Sequence, residues 1–282
     1  MSYLISVDDG HGMETAGKRT PALKSDIKFN GKIRKKGTTI KENEFNNHIM
    51  KFFIEGCKRC GIKTLEVAKG DTDVPLATRV RLANNAKSDL HISFHANAVG
   101  DTWQEKAYGL VVIKHYVCSS KTDKLATNVY NYLKSDVKWY KDGGTKYGVR
   151  KDRDVSGFSL YILKYTKMPS ILVEYGFMDN WEDVKIMCTD EFAKNCAEST
   201  LKGVCKTLGV PYKALEQVNQ PFIVRITCNT LNVRSGASTS YPVVTKVHKG
   251  EAYTIVEEKN GWGKLKSGTG WINISDKYVN RV

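Results

Sequence analysis

Apolar residues along the chain recur in two rhythms, and the change of rhythm divides it. Tyr3-Leu4-Ile5-Ser6-Val7 reads as a buried strand that stops at Asp8-Asp9-Gly10-His11-Gly12. Residues 13–41, rich in Lys, Thr and Gly, read as a long loop. From Glu42 the residues Phe45, Ile49, Phe52 and Phe53 fall on one helical face, as far as Gly56–Gly61. Ile62–Val67 reads as a strand, and residues 76–87 as a helix carrying Leu76, Val80, Ala83 and Ala86. Leu90–Phe94 and Gly109–Ile113 are further strands, 121–134 a helix, and 136–158 a charged, Gly-rich loop. Ser170–Glu174 is a short buried strand after Pro169, and 180–187 and 190–208 are helices. Strands separated by helices predict an α/β fold with a mostly parallel sheet and helices on both faces.

After Gly209 the rhythm shortens. Residues 210–221, with Pro211 and Pro221, read as a linker. Phe222–Thr227, Leu231–Arg234, Val243–Val247, Ala252–Glu257, Gly263–Lys266 and Gly270–Ile274 are short β-rich runs between turns, which suits a small all-β barrel over 222–282. The predicted domains are thus 1–209 and 222–282.

Composition narrows the function. Hydrophobic residues make up 41% and charged residues 26%, enough apolar material for a core and too much for a disordered chain. No apolar run approaches a membrane span, so no membrane insertion is expected. The net charge is +14, which favours a polyanion: nucleic acid, anionic lipid or an anionic cell wall. No nucleic-acid motif accompanies the charge, so a nucleic-acid partner is not expected. Residues 222–282 carry nine basic and four acidic side chains, net +5, and the rest of the chain +9, so charge does not separate the domains. The N-terminus has neither a basic region nor a long apolar one, so no secretory signal is expected. With seven scattered cysteines, reduced thiols and no disulfides are expected. Cys57-x-x-Cys60 lacks the second pair that a structural zinc site needs and reads as a helix end.

In open α/β sheets, ligands bind at the carboxyl ends of the strands. His11, His95 and Glu174 fall at such ends, and Glu42 opens a helix after the long loop. Two histidines and a carboxylate with a water complete a catalytic zinc shell, with a further Glu to act on the water. Spacing alone leaves open that each is a hydrogen-bonded structural residue.

Four segments in order give a specific resemblance: Asp8-Asp9-Gly10-His11-Gly12; Glu42-Asn43-Glu44-Phe45-Asn46; Leu76 to Asn84 with Ser93-Phe94-His95-Ala96-Asn97-Ala98; and Met168-Pro169-Ser170-Ile171-Leu172-Val173-Glu174-Tyr175-Gly176-Phe177-Met178-Asp179-Asn180. Over residues 1–208 the chain resembles the zinc-dependent N-acetylmuramoyl-L-alanine amidases of the Amidase_3 type. The resemblance implies a twisted sheet of about six strands, Zn²⁺ as cofactor, His11, Glu42 and His95 as its ligands, and Glu174 as general acid/base. Glu44 competes with Glu42; the register of Asn46 favours Glu42. Only His95, not His91, lies at its strand's carboxyl end, so His91 reads as structural, as do His48 and His115. Asp8 or Asp9 is a candidate to orient His11. Asn97, Arg79 and Arg150 are candidates to line the substrate groove, with a plain salt bridge the competing role for Arg79. The 13–41 segment is either one wall of the cleft or a solvated insertion.

Thr230-Leu231-Asn232-Val233-Arg234-Ser235-Gly236-Ala237, Val247-His248-Lys249-Gly250-Glu251 and Gly261-Trp262-Gly263-Lys264-Leu265 through Gly270-Trp271-Ile272 resemble the bacterial SH3 (SH3b) module. That resemblance implies cell-wall binding. Trp262 and Trp271 are expected in the barrel core and Tyr241 and Tyr253 as exposed aromatics that contact the wall. The whole predicts a peptidoglycan hydrolase acting on a Gram-positive wall and similar to a phage endolysin, made in the host cytoplasm and reaching the wall once the membrane opens. A host autolysin, a spore-cortex amidase, a zinc carboxypeptidase on stem peptides and an inactive wall-binding adaptor are the alternatives.

Overall fold

The computed structural model describes residues 2–141, 147–215, 221–259 and 261–282. Contacts divide the chain into two compact units, Met1–Lys213 and Ala214–Val282. The first unit runs β1 (Leu4–Asp8), β2 (Ile27–Phe29), β3 (Lys32–Arg34), α1 (Glu42–Arg59), β4 (Lys63–Glu66), α2 (Leu76–Asn85), β5 (Leu90–Asn97) and β6 (Leu110–Lys114). It continues with α3 (Ser120–Asp136), β7 (Gly148–Lys151), α4 (Asp152–Ser156), α5 (Tyr161–Tyr165), β8 (Ser170–Phe177), α6 (Trp181–Met187) and α7 (Asp190–Leu208). Six strands form one sheet in the order β4-β1-β5-β8-β6-β7. β4, β1, β5 and β8 run parallel, and β6 is antiparallel to β8, so the sheet is mixed but mostly parallel.

Both faces are covered, which is why the strands read as continuous apolar runs. Side chains alternate across a strand. Leu110, Val112, Ile171 and Val173 join the large core that includes Phe45 and Phe53 of α1, Val129 of α3 and Leu201 of α7. Their neighbours Val111, Ile113 and Leu172 point the other way and pack with Val80 of α2 and Ile162 and Leu163 of α5. The helices end where capping chemistry permits: Ser119, Asn180 and Thr189 accept backbone N–H groups at the starts of α3, α6 and α7. Gly209 closes α7 in the left-handed conformation. The compact unit continues past Gly209 because residues 210–213 fold back: Arg59 donates to the Lys213 carbonyl at 2.7 Å, and the Lys213 N–H to Cys60 Sγ at 3.3 Å. Cys57 and Cys60 are buried at the end of α1, and all seven cysteines are free. Of the linker, residues 216–220 lie outside the described residues.

Two loops are more ordered than their composition suggests. The 13–41 segment is no solvated insertion: it contains the β2–β3 hairpin and buries Leu23, Phe29 and Ile40 in the main core. It is zipped to itself by Thr20 N–H to Ile40 O and Leu23 N–H to Thr38 O, and Trp103 Nε1 donates to the Ala22 carbonyl at 2.8 Å. The charged stretch 136–158 contains β7 and α4; its residues 142–146 lie outside the described residues. Asp152, fully buried, accepts the N–H groups of Tyr116, Arg153 and Leu160 and so orders this stretch. Phe29 lies 5.1 Å from Phe45, ring to ring, with no solvent exposure. Phe29→Ala is therefore expected to destabilise the first unit by about 3–5 kcal/mol, measured by denaturant unfolding. A loss below about 1 kcal/mol would make the hairpin a peripheral flap.

The second unit is all β: β9 (Phe222–Ile226), β10 (Thr230–Arg234), β11 (Val243–His248), β12 (Ala252–Lys259), β13 (Trp262–Leu265), β14 (Trp271–Asn273) and β15 (Val279–Arg281). They pair antiparallel in the order β11-β10-β14-β13-β12-β9-β15 around Val224, Ile226, Val233, Ile255 and Ile272. Trp262 is buried as expected. Trp271 departs from the expectation and is only half-buried, with the Lys264 ammonium 5.9 Å from its ring. Tyr241 is exposed. Tyr253 is half-buried against the core, its hydroxyl donating to Glu251 at 2.8 Å, so of the two only Tyr241 is exposed, with its ring resting against Gly236.

Candidate active site

β1, β5 and β8 are neighbours in the sheet, so whatever follows or ends them meets at one edge. His95 and Glu174 are register partners on β5 and β8. His11 follows β1 with a positive φ of 60°, a conformation non-glycine residues seldom adopt. Its carbonyl is held there by Arg79 Nη2 at 3.1 Å and Asn43 Nδ2 at 3.4 Å. Gly10 has to be glycine: it also has positive φ, and a Cβ there would stand 2.4 Å from the His95 ring. The two imidazoles meet edge to face at 5.1 Å.

Glu42, the first residue of α1, lies between them. Its Oε1 is 2.9 Å from His95 Nδ1, and its Oε2 is 3.5 Å from His11 Nε2. Donor atoms of His11, Glu42 and His95 all lie within 4.8 Å of one another, the one such cluster among the described residues. Glu44 turns away, pairing with Arg34 and accepting the Lys41 N–H. Two buried carboxylate oxygens at this site, Glu42 Oε2 and Glu174 Oε2, make no hydrogen bond. Buried polar atoms nearly always have partners, so orphans mark a place built for something else.

The environment separates the two carboxyls. Burial would raise the Glu42 carboxyl, but the hydrogen bond and charge of His95 and the charges of His11 and Lys18 prevail and hold it down at about 2. Burial, aided by the Glu42 charge against His95 and Lys18, pushes Glu174 up to about 7. Burial lowers His11 to about 4, so its imidazole is neutral and its lone pair available. A cavity of about 320 Å³ opens here, lined by His11, His95 and Glu174 together with Lys18, Asp73, Leu76, Arg79 and Tyr161.

The other sequence candidates fall into place around it. Asp8 does not orient His11: its carboxylate lies 3.2 Å from His91 Nε2 and accepts from Ser93 at 2.8 Å and Arg79 at 3.2 Å. Asp9 accepts from Asn47 instead. His91, fully buried between Asp8 and Ser6, is structural, and His48 pairs with Asp190. His115 stands after β6, its Nδ1 2.7 Å from the Val117 carbonyl. Arg79 reaches the cavity wall but is 2% exposed and committed to Asp8, Asp73 and the carbonyls of His11 and Val74. Asn97 ends β5 with its side chain turned onto the Ala98 N–H, and Arg150 sits on edge strand β7, two strands from β8; neither lines the cavity. Asp73 and Tyr161 have no counterpart in the sequence reading, Lys18 enters it only through the 13–41 segment, and Leu76 only as an apolar position of its helix. Arg79→Met is expected to cost about 3–5 kcal/mol of stability, the range for breaking a buried ion pair, since Asp8 then stays buried without its cation. Denaturant unfolding of the variant checks this, and a loss under about 1 kcal/mol would contradict it.

An α/β sheet with two imidazoles, a carboxylate and a high-pKa glutamic acid at its carboxyl edge has the donor set of a metal-assisted hydrolase. The comparisons narrow this. The Amidase_3 profile, N-acetylmuramoyl-L-alanine amidase, matches residues 5–206, and a bacterial SH3 profile matches residues 229–280. The chain belongs to the Amidase_3 family of N-acetylmuramoyl-L-alanine amidases, enzymes of peptidoglycan hydrolysis, and carries a bacterial SH3 domain after it. It is 27% identical over 215 residues to the endolysin of Bacillus phage SPP1, which spans 76% of this chain and 69% of that protein. The amidase AmiC2 of Nostoc punctiforme shares the fold at TM-score 0.57 and 26% identity over 73% of this chain and 97% of its own. An N-acetylmuramoyl-L-alanine amidase from Clostridium difficile 630 does so at TM-score 0.58 and 24% identity, covering 74% and 97%.

Proposed function

We propose that the chain cleaves the amide between the lactyl carbonyl of N-acetylmuramic acid and the L-alanine of the stem peptide in Gram-positive peptidoglycan, with a zinc ion held by His11, Glu42 and His95. The observation that carries this is Glu42, buried between two imidazoles with an oxygen that no protein donor satisfies. A carboxylate and two nitrogens in this arrangement fit a zinc ion with a position left for substrate or water. When bound, zinc would polarise the scissile carbonyl and make a water acidic enough to attack near neutral pH. Glu174 does the proton work. With its carboxyl raised to about 7, it accepts a proton from the attacking water at the otherwise unpaired Oε2 and passes it to the departing alanine nitrogen. His95, its register partner on the neighbouring strand, stands beside it. Arg79 and Asn43 hold the His11 backbone so that the imidazole stays aimed at the cavity.

The domain assignment is residues 1–209 catalytic, 210–221 linker and 222–282 wall-binding. Its support is the separate cores and the two profile matches. Tyr241, exposed on the SH3 unit, is the aromatic assigned to wall contact. Similarity to a phage endolysin supports a lytic role at the end of infection, the enzyme being made in the host cytoplasm and acting once the membrane opens.

Mass spectrometry of digested Gram-positive walls tests the activity. New amino groups on alanine are expected; released D-amino acids would make it a carboxypeptidase, and unchanged walls an adaptor. Division of labour is tested with the fragments 1–213 and 214–282. The first is expected to cleave soluble muropeptide about as well as the full chain but whole walls more slowly, because tethering raises the local concentration. The second is expected to sediment with walls, and added salt to release it, since exposed charges are screened beyond about 8–10 Å. A second fragment that stays in the supernatant with every wall tried would remove its assigned role.

A further inference from the structure

The cavity walls are chemically unlike. Leu76 and Tyr161 line it while remaining 49% and 40% exposed, so they offer apolar surface at its mouth. Two cationic side chains also line it, Arg79 and Lys18. Arg79 has no freedom to meet a ligand: it is 2% exposed and its donors go to Asp8, Asp73 and two carbonyls. Those same bonds answer the charges of Asp8 and Asp73. Lys18 is different. Its side chain is 42% exposed, and its ammonium stands 3.6 Å from Glu42 Oε2, too long for a hydrogen bond. Glu42 already faces both imidazoles and is assigned to the metal, so its charge is committed elsewhere. The backbone that carries Lys18 is fixed: the Glu42 N–H donates to the Lys18 carbonyl at 3.0 Å, and Arg19 bridges Lys41. A cation that pairs loosely with Glu42 and makes no hydrogen bond to it is thus anchored at the rim of the site.

We propose that Lys18 selects the substrate: its ammonium binds a carboxylate on the peptide side of the scissile amide. The enzyme then prefers stem peptides in which the residue after L-alanine carries a free α-carboxylate over those in which that group is an amide. The inference rests on the amidase reading above. An alanine methyl followed by an anionic group matches an apolar wall beside one available cation. Consecutive Cα atoms are about 3.8 Å apart, so the carboxylate one residue beyond the alanine stays within the swing of a lysine stem. If Lys18 served only to balance Glu42, its loss would act on the site itself and alike on every substrate.

The test uses the full-length zinc-loaded enzyme and two soluble muramoyl-L-alanyl peptides that differ only in a carboxylate or carboxamide on the second residue. Wild type is expected to show a KM about 10- to 100-fold lower for the acid, the range for one hydrogen bond to a charged group. Lys18→Met is expected to erase that difference by raising KM for the acid more than for the amide. Lys18→Arg, which keeps the charge, is expected to restore part of the preference, and 1 M salt to weaken it in wild type. A wild type indifferent to the carboxylate, or a Lys18→Met variant that loses kcat or zinc equally with both peptides, overturns the proposal. A wild type that cleaves neither peptide overturns the amidase reading and this inference with it.

Discussion

Glu174→Ala is expected to lower turnover about 10²–10⁴-fold, the usual worth of a general acid–base group, and to leave zinc binding intact. Two observations make this the sharpest prediction. Glu174 comes from β8, whereas the three residues clustered within 4.8 Å come from α1, β5 and the turn after β1. Its Oε2 has no hydrogen bond and its carboxyl is raised to about 7 by burial, where a proton is accepted and released near neutral pH. A ligand would show the opposite, a carboxyl held low by its neighbours, which is the state of Glu42. Turnover on soluble muropeptide and zinc per chain are measured together. Zinc lost along with activity would make Glu174 a ligand and leave the proton transfer without a residue.

Stripping the metal is expected to take amide hydrolysis to background, and added Zn²⁺ to restore it. Without a metal, Glu174 remains to take a proton from water, but no group among the described residues of the cavity supplies the Lewis acid that polarises the scissile carbonyl and acidifies the water. The same addition raises the unfolding temperature of the metal-free protein, because a ligand bound only by the native state stabilises it by about 2.7 kcal/mol at a hundredfold excess over Kd. His95→Ala is expected to lose both effects. Full activity in metal-free protein would end the zinc mechanism; a Zn²⁺ response that survives in His95→Ala would place the ion elsewhere.

Most of the fold is legible in the sequence because its signals are local. The apolar run at Ile171–Val173 and the helical spacing of Phe45, Ile49 and Phe53 each need only a few neighbouring residues to be recognised. The β2–β3 hairpin, β7 and α4 were not legible for the converse reason. Short, charged and Gly-rich, they are ordered by distant partners, as with Trp103 on Ala22 and Asp152 beneath Tyr116 and Leu160. Tertiary contact overrides weak local preference there.

The candidate site divides the same way. Strand ends and a helix start, with the motif residues His11, Glu42, His95 and Glu174 on them, are properties of the chain in one dimension. Their convergence is not: Glu42 and His95 are 53 residues apart, and only the strand order β1-β5-β8 sets them, His11 and Glu174 around one cavity. The roles of Asp8 and Arg79 also belong to the tertiary structure. Asp8 stands three residues before His11 yet serves His91, Ser93 and Arg79, because side chains alternate across β1 and its carboxylate enters the interior. Lys18 reads in sequence as one basic residue of a basic loop. Only the backbone pairing of residues 18–20 with 40–42 brings it to Glu42, and that pairing rests on the burial of Leu23, Phe29 and Ile40, which no local pattern of charges reveals.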